Sequence, residues 1–158
     1  MTADALPPAT TAELELFTSQ IEQWLDEQVQ QNPTVMSVER DLDSGECRWM
    51  IRVSSPEKGM FSIWFHLRQR TLHVETYFMP APEENQAKTY EYLLRRSLRF
   101  NGFCFCIGNE DAVYLVGQIP VPWIADAELD RLLGSIYSYV EMSFRPAMRL
   151  GFGSRYEG

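Results

Sequence analysis

Two histidines are the residues of this sequence whose type and spacing come closest to a chemical site. If Gln69 and Arg70 form the tip of a β-hairpin, His66 and His73 face each other across its strands. Glu75 follows two positions later, so it lies on the same face of the same strand. Two imidazoles and a carboxylate could bind a transition metal, which makes His66, His73 and Glu75 a candidate metal site. Surface histidines on a sheet are the favoured interpretation, and no cofactor is predicted.

The cysteines offer little further chemistry. Cys104 and Cys106 alternate along one predicted strand, where positions two apart are poorly aimed for a disulfide. The sequence has no Cys-x-x-Cys redox spacing, no P-loop and no GxGxxG pattern. We therefore predict buried free thiols that pack as small apolar side chains. We also predict that the protein is not an enzyme, although a catalytic triad scattered in space would escape a search of the sequence.

The first hairpin alternates between an apolar face and a mixed face. Around the tip, the apolar pairs are Leu67 with Leu72, Phe65 with Val74, Ile63 with Thr76, and Phe61 with Phe78. The mixed pairs are His66 with His73, Trp64 with Glu75, Ser62 with Tyr77, and Met60 with Met79. A slip of one residue would mix the two sets, so the pattern supports this register and predicts the first set as core.

The mixed face of this hairpin is the predicted partner-binding surface. Its members are Met50, Met60, Trp64, Tyr77 and Met79. Methionine and aromatic side chains together suit adaptable contact with a peptide or with a second copy of the chain. The alternative is that a helix covers this face and that the opposite face is not the core.

Three amphipathic helices and two groups of strands complete the pattern. Thr10 and Glu13 form a capping box at the start of the first helix, and Asn32-Pro33 ends it. Strands are predicted at 35–42 and 47–53, joined by a turn at Asp43-Ser44-Gly45. A second helix at 85–100 precedes a second hairpin, 103–107 with 112–118. The last helix begins at Asp126, and Pro146 breaks or kinks it.

The second hairpin is predicted to be apolar on both faces. We place Cys104, Cys106, Val113 and Leu115 on one face and Phe103, Phe105, Tyr114 and Val116 on the other. Helices or a partner would then cover it on both sides.

The element order predicts an α+β fold with a largely antiparallel sheet: helix, three to four antiparallel strands, helix, two-stranded hairpin, helix. We expect a single domain at 10–150, a flexible tail at 1–9 and a C-terminal tail at 151–158.

Composition narrows the classes of partner that the protein is expected to bind. The chain has 158 residues, a formal net charge of −8 and three cysteines. A negative protein lacks the positive surface that nucleic acids and anionic membranes require, so neither is an expected partner. The start of the sequence shows no signal peptide, and the low cysteine count fits a reducing compartment, so we expect a cytoplasmic protein.

Four segments carry a resemblance to a known family. They are GMFSIWFHLRQRTLHVETYFMP, YEYLLRRSLRFNGF, DAVYLVGQIP and LDRLLGSIYSYVE. With the element order, they resemble the class I type III secretion chaperone fold and, most closely, the YbjN family of bacterial proteins, described as sensory transduction regulators. The resemblance implies a small acidic dimer that presents a groove or sheet face to a polypeptide partner. It implies no catalytic residues.

Three functional hypotheses follow. The favoured one is a non-catalytic polypeptide-binding module, chaperone-like or regulatory, that acts as a homodimer. The second is a metal sensor or metal-dependent enzyme that uses His66 and His73. The third is a small-molecule sensor with a pocket between the sheet and the last helix.

Overall fold

The computed structural model describes residues 6–41 and 46–157, which form three α-helices and one six-stranded sheet. The helices are α1 (Thr11–Gln31), α2 (Gln86–Ser97) and α3 (Asp126–Phe152). The strands are β1 (Val35–Asp41), β2 (Cys47–Ser55), β3 (Gly59–Leu67), β4 (Thr71–Met79), β5 (Phe103–Ile107) and β6 (Val113–Pro120). This confirms the predicted α+β class, with four strands before α2. The turn predicted at Asp43-Ser44-Gly45 lies outside the described residues.

The strands lie in the order β1-β2-β3-β4-β6-β5, and all neighbours are antiparallel. The chain leaves β4, passes through α2 and enters β5 at the far edge of the sheet. It then returns as β6 between β4 and β5. Within the described residues, β1 and β5 are therefore the two edge strands.

One core holds these elements together. The predicted pairs Leu67–Leu72, Phe65–Val74 and Ile63–Thr76 are confirmed, and these side chains are buried. Buried residues of all three helices join the inward side chains of the strands in a single cluster. For example, the ring of Trp24 in α1 stacks on Phe65 at a centroid distance of 5.7 Å. The helices therefore cover one face of the sheet, and the prediction of which face is core is confirmed.

The predicted face assignment of the second hairpin was wrong. Cys104 pairs with Val116 and Cys106 pairs with Tyr114, so these four side chains share the face away from the helices. The buried face carries Phe103, Phe105, Val113 and Leu115. The thiols are free as predicted, but they are not buried: Cys104 is exposed and Cys106 is half-buried, because no described helix covers their face.

Pro146 was predicted to break or kink the last helix. The helix runs through Pro146 and ends at Phe152, so it does not break at the proline. Proline donates no hydrogen bond to the carbonyl four residues earlier, which belongs to Met142. Arg96 of α2 donates to that carbonyl at 3.4 Å and replaces the missing donor.

The C-terminal segment predicted as a tail begins inside α3. Gly151 and Phe152 are buried, and the Gly151 carbonyl accepts hydrogen bonds from the amides of Glu83 and Glu84. Ser154 then donates its amide to the Glu84 carboxylate at 2.7 Å. This segment is part of the packed domain. None of the described helices is long and apolar enough to cross a membrane.

The open face of the sheet as candidate functional site

The candidate site is the sheet face that the helices leave uncovered, which we call the open face. Strand registers place residues of five strands side by side on it. Its members are Arg48, Met50, Arg52, Met60, Ser62, Trp64, His66, His73, Glu75, Tyr77, Tyr114, Val116, Cys104 and Cys106. Apolar side chains grouped on an uncovered surface are typical of a contact site.

The predicted partner-binding residues lie on the open face, with one exception. Met60 and Tyr77 are 47% and 45% exposed, and Met50 and Trp64 are half-buried. Met79 is 0% exposed and belongs to the core, so its assignment to the partner-binding set was wrong. The register between β4 and β6 shifts between Tyr77 and Met79, and this bulge turns Met79 inward.

A split in the middle of the sheet shapes the open face. The β3–β4 ladder ends at Ile63 and Thr76, short of the ends of both strands. Beyond it, the Thr76 hydroxyl donates to the Ser62 carbonyl at 2.6 Å. The split adjoins a concavity of about 640 Å³ on the open face. The concavity is lined by Arg48, Lys58, Met60, Phe61, Ser62, Trp64, Glu75, Tyr77 and Tyr114.

At the split, the side chain of Lys58 donates hydrogen bonds to backbone carbonyls of β4. Its ammonium group donates to the carbonyls of Tyr77 at 2.9 Å and Phe78 at 2.5 Å. Aromatic rings surround it, and the Phe144 ring of α3 is 5.0 Å away. Burial lowers the pKa of Lys58 to about 8.

Arg48 lies over the largest ring of the open face. Its guanidinium carbon is 4.7 Å from the centre of the Trp64 ring, a cation–π contact. Its Nη2 donates to Asp41 at 2.7 Å, which fixes the side chain in this position. Arg48 is therefore already paired within the chain.

The histidine pair lies on the open face in the predicted register, and each imidazole meets a carboxylate. His66 Nε2 is 3.2 Å from Glu46, and His73 Nε2 is 3.4 Å from Glu75. Burial, followed by the nearby charge of Arg68, lowers the pKa of His66. The hydrogen bond from His73 lowers the pKa of Glu75 and keeps it ionised.

The candidate metal site is not supported by this geometry. His66, His73 and Glu75 are neighbours, but the described part of the chain contains no group of three or more His, Cys, Asp or Glu side chains that could hold a metal ion. The predicted pocket between the sheet and the last helix is likewise filled by core side chains, since Leu115, Ile136 and Val140 are all 0% exposed.

A second apolar surface lies at the β5 edge of the sheet, and we call it the rim groove. It has a volume of about 370 Å³ and is lined by Tyr90, Leu93, Leu94, Phe105, Cys106, Ile107 and Val113. Of these, Leu94 and Ile107 are 67% and 55% exposed.

Sequence reasoning missed several contributors to the open face and to its concavity. Tyr114 and Val116 were assigned to the wrong group because the register of the second hairpin was not recognised. Arg48 was not proposed as part of this surface. Lys58 carries no sequence signal, since its role depends on where the β3–β4 ladder ends.

The fold matches two solved protein complexes. The crystal structure of the ExsC–ExsE complex matches with a TM-score of 0.57 and 18% identity, over 81% of this chain and 93% of that one. The Yersinia pestis type III secretion chaperone SycH, crystallised with a stable fragment of YscM2, matches with a TM-score of 0.50 and 15% identity, over 78% and 96%. The protein therefore has a type III secretion chaperone-like fold.

Sequence relatives are mycobacterial and uncharacterised. Rv0487 of Mycobacterium tuberculosis is 34% identical over 86 residues, which cover 54% of this chain and 47% of the relative. ML2442 of Mycobacterium leprae is 26% identical over 113 residues, which cover 72% and 61%. The chain thus spans about half the length of the first of these relatives. No protein-family model matches the sequence, so membership of the YbjN family stays a prediction.

Proposed function

We propose that this protein is a non-catalytic polypeptide-binding module, chaperone-like or regulatory, and that its open face holds a segment of the partner. The observation that carries the proposal is the placement of Trp64, Tyr77 and Met60. They stand around a concavity on a sheet face that none of the described helices covers. Large aromatic side chains and methionines in such a position are typical of protein contact surfaces.

The structural neighbours support a polypeptide as the partner. ExsC was crystallised with ExsE, and SycH was crystallised with a fragment of YscM2. The open face also offers a mixture of apolar side chains and charges, which suits a peptide better than a purely apolar ligand.

Site-specific photocrosslinking tests this proposal. A photoreactive amino acid placed at Met60, on the open face, should form adducts with a polypeptide in the native cell. The same label at Leu16, which is 72% exposed on α1, is the matched control and should not form these adducts. Replacing Trp64 with alanine should reduce the yield from position 60. Equal adducts from both positions, or no polypeptide adduct from position 60, would contradict the proposal.

We also propose that two copies associate through the rim groove. Within the described residues β5 pairs with β6 alone, and on its other edge the Phe105 amide donates to the Ser97 hydroxyl at 3.0 Å, so a second strand would use the remaining backbone groups of that edge. The exposed Leu94 of α2 and Ile107 of β5 line the groove at this edge and supply apolar area. A two-fold axis would join two antiparallel β5 strands and bring the same apolar patch of each copy together.

The oligomeric state tests the second proposal. Sedimentation equilibrium of the wild type should give a dimer, and Leu94→Glu combined with Ile107→Glu should give a folded monomer. Leu16→Glu introduces the same charge on an equally exposed position of α1 and should leave the dimer intact. A monomeric wild type at high concentration would refute this arrangement.

A further inference from the structure

Lys58 is a partly buried cation whose charge is not balanced within the described residues. It makes no ion pair among them, and its described polar partners are the neutral carbonyls of Tyr77 and Phe78. Burial accounts for the lowering of its pKa, with no nearby carboxylate acting in the opposite direction. An anion that approaches such a desolvated cation stabilises its charged form.

The carboxylates beside Lys58 in the chain and in the concavity are engaged elsewhere. Glu75, which lines the concavity with Lys58, is 3.4 Å from the His73 imidazole. Glu57, the neighbour of Lys58 in the chain, has its carboxylate 2.6 Å from the guanidinium of Arg145. Glu141 of α3 accepts a hydrogen bond from the Glu57 amide at 3.1 Å. Tyr77 is the nearest ionisable group on β4, and burial raises its pKa, so it stays neutral.

The ammonium group of Lys58 also retains a free hydrogen-bond donor beside the concavity. An ammonium group has three donors, and the two carbonyls use two of them. Lys58 lines the concavity together with Met60, Trp64 and Tyr77. A segment bound there would bring its own polar groups within reach of this remaining donor.

We propose that Lys58 recognises a carboxylate of the bound segment, so that the open face selects a peptide with an acidic residue or a C-terminus beside apolar side chains. This inference rests on the proposed function. The apolar neighbours of the carboxylate would pack against the rings of Trp64 and Tyr77.

The other cations of the open face are less suited to this role. Arg48 is already paired with Asp41. Arg52 is exposed and makes only a 3.4 Å contact with the Ser62 hydroxyl, and a solvated cation contributes little to binding. Arg52 therefore provides the matched control for Lys58.

Selection from a library of random linear peptides tests the inference. Peptides selected on the full-length protein should be enriched in Asp or Glu next to aromatic or aliphatic residues. Changing that Asp or Glu to its amide should weaken binding by about 10-fold or more, which is typical of a lost charged hydrogen bond. Synthetic peptides with an amidated C-terminus distinguish a side-chain carboxylate from a terminal one.

Variants assign the effect to Lys58. In Lys58→Met the acid and its amide should bind equally, whereas Lys58→Arg and Arg52→Met should keep the difference. The chain contains only two lysines, Lys58 and Lys88. An NMR titration should therefore show that the pKa of Lys58 rises when the acidic peptide binds and that the signal of Lys88 does not respond. This measurement uses the wild-type protein, so it does not depend on the folding of any variant.

The outcomes separate this inference from the proposed function. Peptides that bind without an acidic requirement, or with the same requirement in Lys58→Met, would overturn the inference and leave the open face as a binding surface. If no peptide binds, or if binding is unaffected by Trp64→Ala, both fail together.

Discussion

Two methionines one strand apart show how residue roles depend on local backbone geometry. Met60 and Met79 were predicted to face each other on the same surface. Met60 is exposed, but the bulge in β4 turns Met79 into the core, where it is fully buried. Alternation along a strand predicts the face of a residue only while the ladder stays regular.

Substitutions at these two positions should differ in their effect on the stability of the protein. Met79→Ala removes buried side-chain volume and should lower the free energy of unfolding by about 2–5 kcal/mol. Met60→Ala is the matched substitution at an exposed site and should change it by less than about 0.5 kcal/mol. Urea denaturation measures both. Similar losses for the two variants would mean that Met79 is not in the core.

The stability of the protein should depend on pH through Lys58. Its pKa is about 8 in the folded protein and near 10.5 when unfolded, so between these values the unfolded chain binds more protons. The free energy of unfolding should therefore rise with pH across this window, by no more than about 3 kcal/mol.

A comparison of variants isolates this contribution from the tyrosines and cysteines that titrate in the same range. Lys58→Met should lose the rise, and Lys88→Met, at an exposed position of α2, should keep it. Chemical denaturation at a series of pH values provides the measurement. An identical pH profile for wild type and Lys58→Met would refute the expectation.

At the scale of elements, sequence pattern predicted the helices and the register of the first hairpin near its tip. The predicted pairs Phe61–Phe78, Ser62–Tyr77 and Met60–Met79 lie beyond the end of the ladder and do not form. The register around Gln69 and Arg70 follows from the match of an apolar set and a mixed set, which a slip of one residue would mix. The second hairpin was harder because both of its faces are apolar, so the pattern does not choose between them. The continuation of α3 past Pro146 depends on Arg96, which lies far away in the chain and leaves no local signal.

Two glycines test the packing of these elements. In Gly117→Ala the new Cβ would overlap the Gly102 carbonyl and stand 2.6 Å from the Phe103 ring, where β5 meets β6. This should destabilise the protein by about 1–3 kcal/mol. Gly134→Ala in α3 meets nothing within 4 Å and should stabilise it by about 0.5–1 kcal/mol, because alanine favours helix. Thermal unfolding distinguishes them, and a stabilised Gly117→Ala would contradict the structure.

For the whole molecule, element order and composition predicted the fold class but not the strand order. No local sequence pattern predicts that β6 lies between β4 and β5, because this strand order depends on the packing of the complete core. The same limit applies to the C-terminus, where residues 151–158 were predicted as a tail yet include the buried Phe152.

Truncation measures the contribution of that segment. Ending the chain after Leu150 removes Phe152 from the core and should cost about 3–5 kcal/mol of unfolding free energy. Ending it after Tyr156 removes only residues 157–158 and should have almost no effect. Calorimetry of the two shortened proteins provides the comparison, and equal melting temperatures would show that the segment does not contribute to stability.

The position of β6 has a consequence for synthesis on the ribosome. Strand β4 acquires its second neighbour only when β6, which ends at Pro120, has been translated. Until then, a nascent chain carries β4 with one side of its backbone unpaired, next to apolar side chains that α3 has not yet covered. Slow translation between α2 and β6 would prolong the exposure of this aggregation-prone intermediate.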